Sequence, residues 1–182
     1  MGYNSLQAQY LTIPVYIVGG GSFLALSFLS DRLTLRSPFL ALANCIGITG
    51  YALILSPTVS HGVRFFGTFL CAIAAYNGPG INLTWLNVNV APHHRRAAAI
   101  GFQQTLGNCA GIVAGQIYRS APYTLGNAFR IGSIGVAQAI VGVKVLYVLR
   151  QTRLKERIEK GEVEDKRKVR TGDRELEFKY HL

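Results

Sequence analysis

Acidic side chains are nearly missing from most of this chain. Of nine Asp and Glu in 182 residues, eight fall after Arg150, so Asp31 is the single carboxylate among residues 1–149. Cations are thin there too, with eight Lys and Arg against eleven in residues 150–182. A water-soluble domain carries about a quarter of its residues as charges to cover its surface. A region this poor in charge must face something other than water, and lipid is the medium that fits. The shortage of carboxylates also removes the usual candidates for general acid–base chemistry, so an enzyme is not expected.

Other absences narrow the field further. The three cysteines, Cys45, Cys71 and Cys109, each lie inside an apolar run, with no CxxC spacing and no His cluster beside them. They read as small packing residues, neither a disulfide framework nor metal ligands. No GxSxG, P-loop or HExxH occurs, and neither a metal nor a cofactor is expected. The formal net charge of +10 suggests nucleic acid at first sight. The cations of the first 149 residues, however, gather at the ends of apolar runs, and those of the tail alternate with acids. Nucleic acid is therefore not an expected partner. The N-terminus "MGYNSLQAQYL" has no basic n-region and no cleavage site, so no signal peptide is expected.

What the chain does have is apolar length. About 20 mostly apolar residues make a spanning helix, and such runs cover residues 10–29, 38–55, 63–90, 97–117 and 127–149. Helices are the shape expected, because a helix satisfies its own backbone where lipid offers no partner. The fold expected is an all-α membrane protein of five transmembrane helices, followed by a charged tail over 150–182. Simple alternation puts Asp31, Arg32, Arg36, Arg95 and Arg96 on the tail's side and Arg64, Arg119 and Arg130 toward the other. With Arg150 and Arg153 added, the tail side holds the cationic majority and is expected to be cytoplasmic. Lys144 lies just inside the basic end of the last span, where its stem can snorkel outward.

The third run is too long for one straight crossing. Residues 63–90 extend about 42 Å as a helix, against a hydrocarbon core of about 30 Å. "YNGPGINLTW" sits in the middle, with Pro79 between two glycines, so the span is expected to be broken near 78–80 beside a cavity, or else simply kinked. Polar residues inside the runs are expected to point inward. Asn82, Trp85 and Asn89 fall at i, i+3 and i+7 on one helical face, and Gln104 and Asn108 share another. These five are the candidate substrate-binding residues, Trp85 as an aromatic wall and the amides as donors and acceptors; the alternative is hydrogen bonding between helices with no ligand. Gly107, Gly111 and Gly115 form a small-residue stripe for helix packing. "HHRR" (93–96) reads as a charge anchor at lipid headgroups.

These motifs carry a family resemblance. "GYNSLQAQYLTIPVYIVGG", followed by "SDRLTLR", resembles the eighth helix and following loop of major facilitator superfamily transporters, most closely the fungal anion:cation symporter branch of allantoate and nicotinate permeases. "TWLNVNVAPHHRRAAAIGFQQTLGNCAGIVAGQIY" resembles that branch's tenth-to-eleventh helix segment, and "TGDRELEFKYHL" its cytoplasmic tail. The resemblance implies that the five spans correspond to helices 8–12 of a twelve-helix transporter, with the N-terminal half as a missing partner. It further implies proton-coupled transport of a small organic anion by alternating access, at the plasma membrane, with a cytoplasmic C-terminus. Five helices alone are then not expected to transport. Asp31 and Arg32, with Arg36 four residues beyond, match the family's cytoplasmic gate element and are expected to act as a latch. The alternative reading is a five-span protein without transport of its own that docks on a full-length transporter.

The lipid assignment is checked by fractionation. The expressed chain is expected to stay in the membrane pellet through an alkaline carbonate wash and to leave it only in detergent.

Overall fold

The computed structural model describes residues 5–117, 124–160 and Tyr180; Arg119 and the tail positions 161–179, 181 and 182 lie outside the described residues. Among the described residues the chain is five helices and no strand. They are α1 (Ser5–Leu33), α2 (Ser37–Leu55), α3 (His61–Asn89), α4 (His93–Ile117) and α5 (Thr124–Glu159). Three of these, α1 from Gln9 to Leu33, α2 and α5, are long and apolar enough to cross a membrane by length and composition. With 29 and 25 residues, α3 and α4 match that length. Their apolar content is diluted by Asn77, Asn82, Asn87 and Asn89 in one and by His93 to Arg96, Gln103, Gln104 and Asn108 in the other. Helices of that composition are favoured in lipid only when their amides find protein partners.

The helices pack in a row, α1 on α3, α3 on α2 and α2 on α5, while α4 touches α3 and α5 lightly. The tightest joint is between α2 and α3. A Cβ added at Gly50 would lie 2.9 Å from the Gly67 carbonyl oxygen and 2.9 Å from the Cys71 backbone nitrogen. One added at Gly67 would lie 3.0 Å from the Gly50 oxygen. Glycine at both positions brings the two backbones into direct contact, which is how helices associate in lipid, where apolar burial supplies little drive. Ala43, Gly47 and Gly50 recur along α2 and are all buried. The small-residue stripe expected on α4 has a different setting: a Cβ at Gly107, Gly111 or Gly115 meets nothing within 4 Å. No residue of α4 is buried.

A polar tie joins α1 to α3. Asn77 is fully buried, and its Nδ2 donates to Ser22 Oγ at 3.0 Å and to the Ile73 carbonyl at 2.8 Å. Ser22 Oγ in turn donates to the Gly19 carbonyl at 2.7 Å. Beside this chain Gly19 faces the Tyr76 ring, with no room for a side chain. Near the tail side, Leu40, Ile81 and Trp85 form the buried apolar cluster, flanked by Phe39, Val88, Val141 and Val145.

A break in the third span is one of the sequence expectations, and the structure differs. α3 runs from His61 to Asn89 with Pro79 inside it and no interruption at 78–80. Proline removes one intrahelical donor, but the flanking glycines relieve the crowding, and Gly80 accepts the Phe23 ring of α1 directly against its backbone. At the other end of the chain, α5 continues past residue 149 to Glu159, so the first turns of the charged tail extend the last helix.

The glycine contact yields a paired prediction. Gly50→Val forces the α2 and α3 backbones apart and is expected to cost about 1–3 kcal/mol, read as a lowered thermal midpoint in detergent. Gly107→Val, set in open space, is expected to leave that midpoint unchanged.

Candidate functional site

Four helices line a half-open cavity of about 540 Å³, within the range of small-molecule sites. α2 contributes Leu40, Asn44 and Tyr51, α3 contributes Asn82 beside Gly78 and Pro79, and α4 contributes Gln103 and Gln104. From α5 come Arg130, Ser133 and an apolar wall of Ile134, Ala137 and Val141. The antiparallel course of α2 and α5 explains the two ends. Tyr51, late in α2, meets Arg130, early in α5, while Leu40, early in α2, belongs to the apolar cluster against which Val141 packs farther along α5. Eleven residues separate Arg130 from Val141 on α5, a rise of about 16 Å.

The candidate binding residues divide. Asn82 and Gln104 line the cavity; Trp85, Asn89 and Asn108 do not. Trp85 has no exposed surface and packs with Leu40 and Ile81. The Lys144 ammonium lies 4.0 Å from its ring centroid, a cation–π contact strengthened by exclusion of water. Asn89 Nδ2 donates to the Trp85 carbonyl at 3.0 Å, so its amide is turned back on its own helix. Asn108 lies on the exposed surface of α4.

The loop residues pair locally. Asp31 Oδ1 lies 2.8 Å from Arg36 Nη2, spanning the short turn between α1 and α2. In that turn Thr34 has φ 54° and Ser30 Oγ donates to the Leu35 carbonyl at 3.0 Å. With Asp31 61% exposed, the pair belongs to the surface class worth about 0–1 kcal/mol. Arg32 stands in the last turn of α1.

Several cavity residues were not singled out from the sequence. Asn44 Nδ2 donates to Gln138 Oε1 at 2.9 Å, joining α2 to α5. Arg130 Nε donates to Tyr51 Oη at 3.2 Å, and its guanidinium stands 5.9 Å from the centroid of that ring. Arg130 carried a signal, being a cation inside an otherwise apolar run; alternation used it only to assign a side. Tyr51 carried none, since an aromatic near a span end is ordinary. Among the described residues no group of three or more His, Cys, Asp and Glu converges on a metal-sized site.

An uncharacterized transporter of Schizosaccharomyces pombe is 42% identical over 182 residues, the whole of this chain and 38% of the relative. The high-affinity nicotinic acid transporter of Saccharomyces cerevisiae is 36% identical over 118 residues, 65% of this chain and 22% of the relative. The major facilitator-type transporter hxnP of Emericella nidulans is 28% identical over 192 residues, covering 100% of this chain and 39% of that protein. The chain belongs to the major facilitator transporters. It spans only 38% of the length of the first of these relatives, and no family model and no solved structure matches it. A membership of this kind places the chain in a lipid bilayer, in keeping with its apolar helices.

Within this major facilitator chain Trp85 is the single tryptophan, so its emission reports the core directly. Trp85→Ala is expected to lose about 3–5 kcal/mol of stability. Lys144→Met, which keeps the stem and removes the ammonium, is expected to leave the chain folded and to shift the Trp85 emission maximum.

Proposed function

We propose that this chain is the C-terminal portion of a secondary active transporter for small organic anions of carboxylate, ureide or vitamin type. The observation that carries the reading is the cavity, in which the cation Arg130 and the amides Asn82, Gln103 and Gln104 stand over an apolar wall. Such a lining suits a compact ligand with one charged end and a few hydrogen-bonding groups. The name of the yeast relative, a nicotinic acid transporter, agrees with that class. Asn82 and Gln104 contact the substrate in this reading. Trp85 and Asn89 support the site from outside the cavity, while Asn108 stands on the exposed surface of α4.

Transport proceeds by alternating access, with these helices as one body and the remaining length of the protein as the other. Coupling is to the proton. Asp31, the one carboxylate before the tail, lies in a surface turn, so the proton-carrying group belongs to the other body. Asp31, Arg32 and Arg36 form a gate element at the cytoplasmic face, and the stripe of Gly107, Gly111 and Gly115 receives the partner half, with Gly107 also bordering the cavity. The protein works at the plasma membrane with its C-terminus in the cytoplasm, and the five helices alone do not transport. Catalysis has no role in this reading.

Uptake decides it. Joined to upstream helices of a major facilitator relative and expressed in cells lacking endogenous uptake, the chain is expected to support saturable accumulation of labelled nicotinate or a related carboxylate. A protonophore is expected to abolish that accumulation. Absence of saturable uptake across carboxylates, ureides and vitamins overturns the assignment.

A further inference from the structure

Arg130 is an unusual side chain for its setting. It lies in the seventh position of α5, exposed and only four residues into the apolar run that begins at residue 127, where a cation still favours a partner that answers its charge. Nothing anionic does so from this part of the chain. Asp31 is the only acid among residues 1–149, and it pairs with Arg36 in the turn between α1 and α2. The partner of Arg130 is instead a neutral hydroxyl, Tyr51 Oη, which accepts from Nε at 3.2 Å.

That hydrogen bond orients the guanidinium. A guanidinium offers five N–H donors in a rigid plane, and Tyr51 engages only the one on Nε. The Tyr51 ring stands 5.9 Å from the guanidinium carbon, so the α2 side of Arg130 is occupied by an aromatic. Arg130 itself lines the cavity. Among the described residues the two Nη groups therefore remain for a planar, two-oxygen acceptor, the geometry in which arginine binds a carboxylate bidentately. Farther along, the wall of Ile134, Ala137 and Val141 suits an apolar body. The amides of Asn82 and Gln104, from α3 and α4, supply hydrogen bonds to that body.

We propose that Arg130, oriented by Tyr51, is the carboxylate-binding group of the cavity and sets its preference for a monocarboxylate over the matching neutral amide. This rests on the transport reading for its physiological meaning, but it concerns binding and is testable apart from transport. The fork geometry matters beyond the charge. Lysine at 130 keeps the cation but loses the paired donors, so it restores the preference only in part.

The test is equilibrium binding of labelled nicotinate and benzoate, each against its neutral amide, to the purified chain in detergent. The unaltered chain is expected to bind both acids at least tenfold more tightly than the amides. R130Q is expected to abolish that preference by weakening the acids and not the amides, R130K to retain part of it, and Y51F to reduce it about threefold. Trp85 emission, expected to be unchanged in all three variants, confirms the fold. Retention of the acid preference in R130Q, or failure of the unaltered chain to prefer either acid, overturns the proposal. The two readings fail separately. Saturable uptake unaffected by R130Q removes the role of Arg130 and leaves transport standing; acid preference lost in R130Q without any uptake removes transport and leaves the binding group.

Discussion

Contact between the backbones of α2 and α3 at Gly50 and Gly67 is the constraint on which the rest of the structure depends. Lipid gives no hydrophobic reward for bringing two apolar helices together, so association rests on close packing and on polar groups that find partners. The glycine pair supplies the packing. With those axes fixed, α1 adds to the far side of α3 through Asn77 and Ser22, and α5 adds to the far side of α2 through Asn44 and Gln138. The α2–α3 pair is thus held by steric fit, and each of the two outer helices is joined to it by one amide tie. α4 has neither, and correspondingly it is the helix with no buried residue.

Electrostatics follow from the same arrangement. With one carboxylate among the first 149 residues, the cations inside the helices must settle for neutral partners. Lys144 uses the face of Trp85, and Arg130 uses a phenol oxygen. The first contact is buried beside the apolar cluster and serves the fold. The second opens on the cavity. Two cations of similar sequence context thus acquire different roles, decided by what the neighbouring helices place opposite them.

Much of this was legible in the sequence. Charge scarcity and run length located all five helices, because both report the medium around a segment and need no knowledge of its neighbours. Individual faces were harder. Asn82, Trp85 and Asn89 share a helical face by spacing, yet Asn82 reaches the cavity while Trp85 fills the core, since spacing does not say where one neighbour ends and the next begins. The glycines show the same limit. Gly107, Gly111 and Gly115 make the more regular stripe, but the backbones meet at Gly50 and Gly67. The recurrence of Ala43, Gly47 and Gly50 along α2 was a usable sign, and Gly67 stands alone in its stretch of α3. The span from 63 to 90 was read as too long for a continuous crossing, whereas α3 absorbs Pro79 without a break because small residues flank it.

Pro79 nevertheless divides α3 mechanically. Lacking an amide hydrogen, it leaves the Ala75 carbonyl without its intrahelical donor, and both residues border the cavity. On one side of this joint α3 is clamped by Gly67 against α2; on the other it carries Trp85 in the apolar cluster. Flexure of the helix therefore concentrates at the missing bond. The half beyond Pro79 is kept in line by its neighbours instead, Phe23 against Gly80 and the Trp85 cluster, so those contacts carry the stiffness that the missing bond removes.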